Sequence, residues 1–307
     1  VSTKIAIVGS GVTAGLTANL LAKRGEITLF QSPNPFSSGI PEIVPRRAFF
    51  DALDTINEDE VITRTAPVNQ RVLWRHNDKF HRRLLVSNEE YFVYDKGRLA
   101  KFLAECVPVA RYVKQEVSNI ADLKGFDRIF DCRGAKSVMS DHAYQSHFVQ
   151  AARTACRYLV THHFPDKDAD EMCFWSEHTV GGSRRTFFKI PVANNRASLG
   201  CSCLPSELIS ADELLIAMAT KGIAVRPENI IFSGSVEPEE VAMSCSVNHV
   251  VPLGDARYLS CPLSEYGTLK ALSQVKEATG ENTLLSQFFK RPNNGEIDPH
   301  FPQELFL

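Results

Sequence analysis

Residues 5–31 read IAIVGSGVTAGLTANLLAKRGEITLFQ, and this stretch decides the fold. Ile5, Ala6, Ile7 and Val8 form a short apolar run suited to a strand buried on both faces. Gly9-Ser10-Gly11-Val12-Thr13-Ala14 follows as G-x-G-x-x-A, the turn that leads from a strand into a helix where a dinucleotide is bound. Gly9 permits the tight turn, and Gly11 lets a pyrophosphate approach the backbone. Ala14 and Gly15 are expected to hold the helix close to the strand. The helix N-terminus offers free N–H groups and a partial positive charge, so Gly9, Gly11, Val12, Thr13 and Ala14 are cofactor-binding candidates. Leu16, Leu20 and Leu21 are expected to face the sheet, and residues 27–30 form the next strand. Gln31 stands where an acidic residue usually holds the ribose hydroxyls; its amide still hydrogen-bonds a ribose but lacks the charge that selects against a 2′-phosphate.

The chain has 307 residues, 44% of them hydrophobic, enough for one large α/β domain or two interlocked ones. Lys plus Arg (34) nearly balances Asp plus Glu (36), so no global field points to nucleic acid or to an anionic membrane, and neither is an expected partner. No apolar run approaches the roughly 20 residues of a bilayer span. The first strand begins by about residue 4 without room for a signal peptide, and the expected location is cytoplasmic. Eight cysteines without a C-x-x-C pair read as small buried hydrophobes; Cys201 and Cys203 are the closest two, on one face of a strand. His162-His163 has no carboxylate or cysteine at ligand spacing and reads as a helix end, so no metal is expected.

Turn formers crowd residues 31–41, and a helix is expected over about 46–56. Residues 68–94 alternate in the manner of antiparallel strands, after which α/β character returns with a helix near 96–106 and strands near 111–117 and 126–132. Residues 140–240 read as mostly strand with one helix over 206–221. Asn248-His249-Val250-Val251-Pro252-Leu253-Gly254-Asp255 is an apolar strand ending in Gly-Asp, followed by Pro262-Leu263-Ser264-Glu265-Tyr266-Gly267-Thr268 and a helix to about 278. That strand end is a second phosphate- and ribose-binding corner.

With both ends in view, the chain resembles flavoproteins of the para-hydroxybenzoate hydroxylase fold: N-terminal G-x-G-x-x-A, a mid-chain Asp131-x-x-Gly134 turn and the C-terminal Gly254-Asp255. It is more closely similar to the flavin-dependent tryptophan halogenases. The segment Gly39-Ile40-Pro41-Glu42-Ile43-Val44-Pro45 with Phe49-Phe50 resembles their G-x-G-E-A-T-x-P and Phe-Phe stretch, Gln31 a neutral residue at the same strand end, and Arg185–Pro191 a degraded W-x-W-x-I-P. The resemblance covers about residues 3–280. It implies an α/β fold with a Rossmann-like FAD-binding domain (residues 1–67, 95–140 and 245–290), an inserted, mostly antiparallel substrate domain (68–94 and 141–244) and a tail over 291–307. FAD is the implied cofactor, held by Gly9, Gly11, Val12, Thr13, Ala14, Gln31, Ile40, Pro45, Gly254, Asp255, Gly267 and Thr268, with Glu265 and Glu42 the candidates for catalytic work.

The departures shape the expected activity. The halogenase lysine that guides hypohalous acid falls on Gln70 or Arg71, and a guanidinium forms no haloamine. The halogenase glutamate falls on Ser264, with Glu265 one place along, and both signature tryptophans are phenylalanines. The expected function is therefore an FAD-dependent monooxygenase hydroxylating an electron-rich aromatic, indole- or tryptophan-like. The aromatic is free or carried by a partner protein during cofactor maturation, and a separate flavin reductase or free reductant supplies electrons. Flavin-dependent halogenation, a flavin-binding maturation scaffold without oxygen chemistry and an NAD-binding oxidoreductase are the alternatives. Trp74, Phe80, Phe187 and Phe188 are candidate pocket aromatics, and Arg71, Arg75, Arg82 and Arg83 a basic cluster for an acidic partner.

Overall fold

The computed structural model describes residues 2–33, 41–51, 53, 56–65, 71–76, 80–84, 91–107, 111–152, 154–162, 171–192, 195–237, 239–259 and 267–280. Ile40, Glu265, Gln70, Ser264 and the tail from residue 291 lie outside the described residues. In chain order, β1 (Lys4–Val8), α1 (Val12–Leu21) and β2 (Glu26–Gln31) form the expected opening unit. Next come β3 (Pro41–Pro45), α2 (Arg46–Asp51), α3 (Glu58–Thr65), β4 (Arg71–His76), β5 (Phe80–Leu84), β6 (Tyr91–Asp95), α4 (Lys96–Glu105) and β7 (Arg111–Lys114). They are followed by β8 (Arg128–Asp131), α5 (Ala135–Met139), β9 (Tyr144–Gln150), β10 (Ala155–His162), β11 (Glu171–His178), β12 (Arg184–Val192) and β13 (Arg196–Cys203). The last are α6 (Ala211–Thr220), β14 (Ile230–Val236), β15 (Glu240–Cys245), β16 (Val250–Pro252), β17 (Tyr258–Leu259) and α7 (Gly267–Thr279).

A five-stranded parallel sheet in the order β16-β8-β1-β2-β7 carries the N-terminal fingerprint. From β1 the chain steps outward to β2 and β7, then returns to the other side of β1 with β8 and β16. The switch point lies between β1 and β8, where the connections diverge and open a crevice beyond the carboxyl ends of Val8 and Asp131. Ile5, Ile7, Ile27, Leu29 and Phe130 pack with Ala14, Ala18, Leu21 and Val275 of the helices on one face. Ala6, Val8, Phe30 and Ile129 pack on the other against Ala143, Tyr144 and Cys245, from the three-stranded antiparallel sheet β17-β15-β9 and the turn before it. α1 is buried nearly all round, which its small residues allow. A Cβ on Gly15 would lie 2.6 Å from Leu103 Cβ, so Gly15 serves the contact of α1 with α4 and not, as the sequence suggested, that with the strand.

The β-rich segments do not form one layer. β14-β10-β13-β12-β11-β4-β5 is a seven-stranded sheet, whereas β6 pairs antiparallel with β3 in a two-stranded ribbon, and β9 and β15 belong to the small sheet. The strand at Pro41–Pro45 lies in a stretch whose residues up to Pro41 read as turn formers, because its flanking prolines hide a ribbon that has few amides to donate. The expected helix over 206–221 is shorter: a turn at Pro205–Glu207 precedes α6, and Ser210 with Glu213 closes a reciprocal cap. His162 ends a strand instead of a helix, since its backbone pairs with Arg196. α6 covers one face of the large sheet, burying Leu159, Trp175, Phe187, Leu199, Cys201 and Cys203. On the opposite face Met172, Phe174, Phe188 and Ile190 meet Val93 of β6.

β9 runs into β10 and β14 into β15, with β9 paired to β15 and β10 to β14. The paired strands β9 with β15 and β10 with β14 thus carry antiparallel pairing from the small sheet to the large one, with register shifts at Val160/Thr161 and Glu240/Val241. No helix among the described residues is long and apolar enough to cross a membrane.

Candidate functional site

The turn after β1 is built by Gly9 and closed by β8. Gly9 has φ +144°, its N–H donates to Phe30 O at 2.9 Å, and a Cβ there would lie 2.6 Å from Cys132 O. Only glycine fits this corner. Ser10 Oγ accepts from Ser32 N at 2.8 Å, tying the turn to the end of β2. Gly11 is the N-cap of α1, without a side-chain cap, and a Cβ on it would meet nothing within 4 Å. Among the described residues no side chain caps the first turn, which carries the partial positive charge of the helix end. Val12 and Ala14 direct their side chains into the core, leaving their backbones to the site.

The C-terminal corner lies against this turn. Gly254, at φ +61°, sits so close to Thr13 that a Cβ would be 2.8 Å from Thr13 Oγ1, and its N–H donates to Gln274 Oε1 of α7 at 2.6 Å. The two glycine corners, at opposite ends of the sequence, thus share one crevice. Asp255 is exposed by area, yet loss of hydration beside the surrounding protein is the main cause of its raised pKa; Lys96 and Lys270 oppose the rise and Glu42 adds to it. Gln31 is half-buried at the end of β2, with its carbonyl accepting from Gln115 N at 2.9 Å.

At the start of α7 the expected residues meet partners of their own. Glu42 Oε1 accepts from Thr268 N at 3.2 Å, and Glu42 Oε2 lies 3.1 Å from Lys96 Nζ. Tyr94, fully buried, donates from its hydroxyl to Thr268 Oγ1 at 2.6 Å. Burial, then the Glu42 charge, raises the Tyr94 pKa well above that of a free phenol, so it stays a donor. The Glu42 charge is also the largest cause of the raised Lys96 pKa. Glu42 is thus a carboxylate fixed between a helix N-terminus and an ammonium. Gly267 is exposed beside it; of Pro45 the backbone position in β3 is described.

Sequence reasoning missed Lys96, Tyr94 and Gln274. One signal was present: Lys96 opens α4, where a cation opposes the helix dipole and calls for a nearby anion. Asp131 of the mid-chain turn is fully buried and bound by Arg133, whose guanidinium also reaches Asp141 Oδ2 at 2.6 Å; Tyr144 donates to Asp131 at 2.8 Å. Asp131 therefore braces the turn after β8 and offers nothing to a ligand. Of the candidate aromatics, Phe187 is in the core under α6 with Lys221 Nζ 4.4 Å from its ring centroid, and Phe188 lies on the opposite face, over Gly200. Register places Trp74 opposite Phe174 and Arg82, and Arg75 opposite Trp175 and His81. Neighbouring positions of a strand alternate faces, so the basic positions Arg75 and Arg82 fall on opposite sides of the sheet.

No protein-family model matches the sequence, and no curated protein matches it. Solved structures do share its fold. A tetrameric 2-methyl-3-hydroxypyridine-5-carboxylic acid oxygenase superposes with a TM-score of 0.68 at 14% identity, over 93% of this chain and 84% of that one. A tryptophan 6-halogenase from Streptomyces toxytricini gives 0.63 at 15% identity over 99% and 75%, and a tetracycline destructase 0.62 at 13% over 91% and 80%. At such identities the likeness is one of fold, the same α/β fold with a Rossmann-like core that the motifs implied.

Proposed function

We propose that this chain binds FAD and acts as a monooxygenase on an electron-rich aromatic substrate. The observation that carries the cofactor reading is the meeting of the uncapped α1 N-terminus with Gly254 at the switch point between β1 and β8. What supports a pyrophosphate there is that, among the described residues, nothing lies within 4 Å of a Cβ on Gly11, no side chain caps the helix, and positions 9, 11 and 254 are all glycine. The shared fold supports FAD over NAD. Gly9, Gly11, Val12 and Thr13 would hold the pyrophosphate, Gln31 the adenosine ribose, and Gly254 with Asp255 the far side, leaving the isoalloxazine toward Gly267 and Glu42.

Reduced FAD, when bound, would supply the two electrons that activate dioxygen, one oxygen atom of which is transferred while the other leaves as water. The chain's part is to orient that cofactor, exclude bulk water and hold the aromatic ring. Lys96 with Glu42 sets the charge at the α7 end of the cleft. Electrons come from a separate reductase or free reductant in this reading, and the ring is either free or borne by a partner protein. Hydroxylation is preferred to halogenation because Gln70 or Arg71 stands where the halogenases carry their lysine, and a guanidinium forms no haloamine.

The test is direct. The purified protein is titrated with FAD and with NAD by fluorescence, and FAD is expected to bind while NAD is not. The flavin-loaded protein is then supplied with a flavin reductase, chloride or bromide, and a panel of indoles and tryptophan peptides. A mass gain of one oxygen supports the proposal; halogenated product, or reoxidation with no organic product from any of them, refutes the hydroxylase reading.

A further inference from the structure

The Glu42–Lys96 pair stands at the positive end of α7, held by two independent anchors: Glu42 Oε1 on Thr268 N at 3.2 Å and Lys96 Nζ on Glu42 Oε2 at 3.1 Å. Tyr94 fixes the same turn through Thr268 Oγ1 at 2.6 Å. The arrangement has an electrostatic cost on one side. A carboxylate on the first turn of a helix cancels the partial positive charge of that end. Asp255 lies within electrostatic range of Glu42, Lys96 and Lys270: the two cations lower its pKa and Glu42 raises it. Lys96 is itself placed against the dipole of α4, so its own helix gains nothing from that charge. Its side chain is partly open to the cleft, at 37% exposure, while that of Glu42 is at 14%.

Two-electron reduction of a flavin with uptake of one proton leaves one additional negative charge on the ring. A cleft end that carries an uncompensated carboxylate disfavours that charge; one whose carboxylate is neutralised does not. We propose that Lys96 is an electrostatic positioning residue for the reduced cofactor, acting through Glu42: by neutralising that carboxylate it keeps the α7 end of the cleft hospitable to the anionic reduced flavin. The inference rests on the FAD reading above and adds to it a residue and a preference between redox states.

The test measures the midpoint potential of protein-bound FAD by anaerobic titration with dithionite against a reference dye, in the native protein, Lys96→Met, Glu42→Gln and the double variant. In Lys96→Met the reduced form is expected to bind at least tenfold more weakly relative to the oxidised form, a fall of about 30 mV for a two-electron couple. Glu42→Gln is expected to move the potential the other way, and the double variant to return to within threefold of the native ratio. A Lys96→Met protein that holds FAD at the native potential overturns the proposal. So does a double variant as low as Lys96→Met, because a purely structural loss is not restored by removing the second charge. Where Lys96→Met is too unstable to hold FAD, Glu42→Gln decides: a raised potential supports the proposal and an unchanged one overturns it. A native protein that binds no FAD instead refutes the cofactor reading, and the inference falls with it.

Discussion

Gly9 and Gly11 stand two residues apart in one turn, yet the structure gives them opposite duties, and alanine at each position separates the two. At Gly9 a methyl group would lie 2.6 Å from Cys132 O, and that carbonyl is held because Arg133 N, in the same peptide plane, donates to Asp131 Oδ1 at 3.1 Å. The backbone there has φ +144°, a region that side chains strain. Strain of about 1–3 kcal/mol and overpacking of about 1–3 kcal/mol together predict a loss of roughly 2–6 kcal/mol, against a typical domain stability of about 5–15 kcal/mol. At Gly11 the backbone is ordinary, with φ −88° and ψ −177°, and among the described residues a Cβ would meet nothing within 4 Å. Gly11→Ala should cost only about 0.5–1 kcal/mol as a poorer N-cap. Its methyl group, however, would stand before the α1 amides, where displacing even one charge-assisted phosphate hydrogen bond, worth about 1.5–3 kcal/mol, weakens FAD about tenfold or more. Urea unfolding followed by circular dichroism, together with FAD titration, reads both effects. The reasoning fails if Gly9→Ala unfolds within about 1 kcal/mol of the native protein, or if Gly11→Ala binds FAD as tightly as the native chain.

Other expectations follow from the buried network beside this turn. Arg133→Met leaves Asp131 and Asp141 without their cation and should destabilise the fold by about 3–5 kcal/mol in denaturant titration; a loss near zero would mean that the network is not what braces the turn after β8. Burial works to raise the Asp141 pKa, but the Ala143 amide, the Arg133 guanidinium and the Ile120 amide outweigh it and hold the group below its ordinary value. A carboxyl lowered on folding contributes stability that is complete above its unfolded pKa of about 3.9 and lost as pH falls through the folded value. Unfolding midpoints between pH 6 and 2 should therefore flatten on their acid side in Asp141→Asn, and an unchanged slope would refute this. Cys132, whose thiol burial pushes up to about 12, should resist iodoacetamide at pH 8 in the native protein and react once unfolded, as read by mass spectrometry.

The parts of this fold written in backbone requirements were legible. β1, the glycine turn and α1 are specified by residues adjacent in sequence, and Gly254 by a strand end that no other residue type closes as well. Gly15 was recognised as a close approach but assigned to the wrong neighbour, since the sequence shows that space is needed and not which element fills it. The β3–β6 ribbon escaped because its prolines resemble loop composition. Glu42 was singled out from its motif, whereas its partner Lys96 was not, because antiparallel pairing of β3 with β6 is what carries the strand before Lys96 alongside Glu42. Alternation puts Phe187 and Phe188 on opposite faces of one strand, but it does not show what covers each face, α6 over the first and β6 over the second.

The paired strands β9–β15 and β10–β14 constrain how this molecule can change over generations. Adding one residue to either strand would exchange inner and outer faces for everything beyond the insertion, so length variants between the two sheets are tolerable only as matched changes in both strands or as bulges. Two such irregularities already stand at Val160/Thr161 and Glu240/Val241. The two sheets are therefore not modules that recombination can exchange by a single crossover; they are inherited together, and variation in what the large sheet presents must come from substitutions along its strands and from its loops.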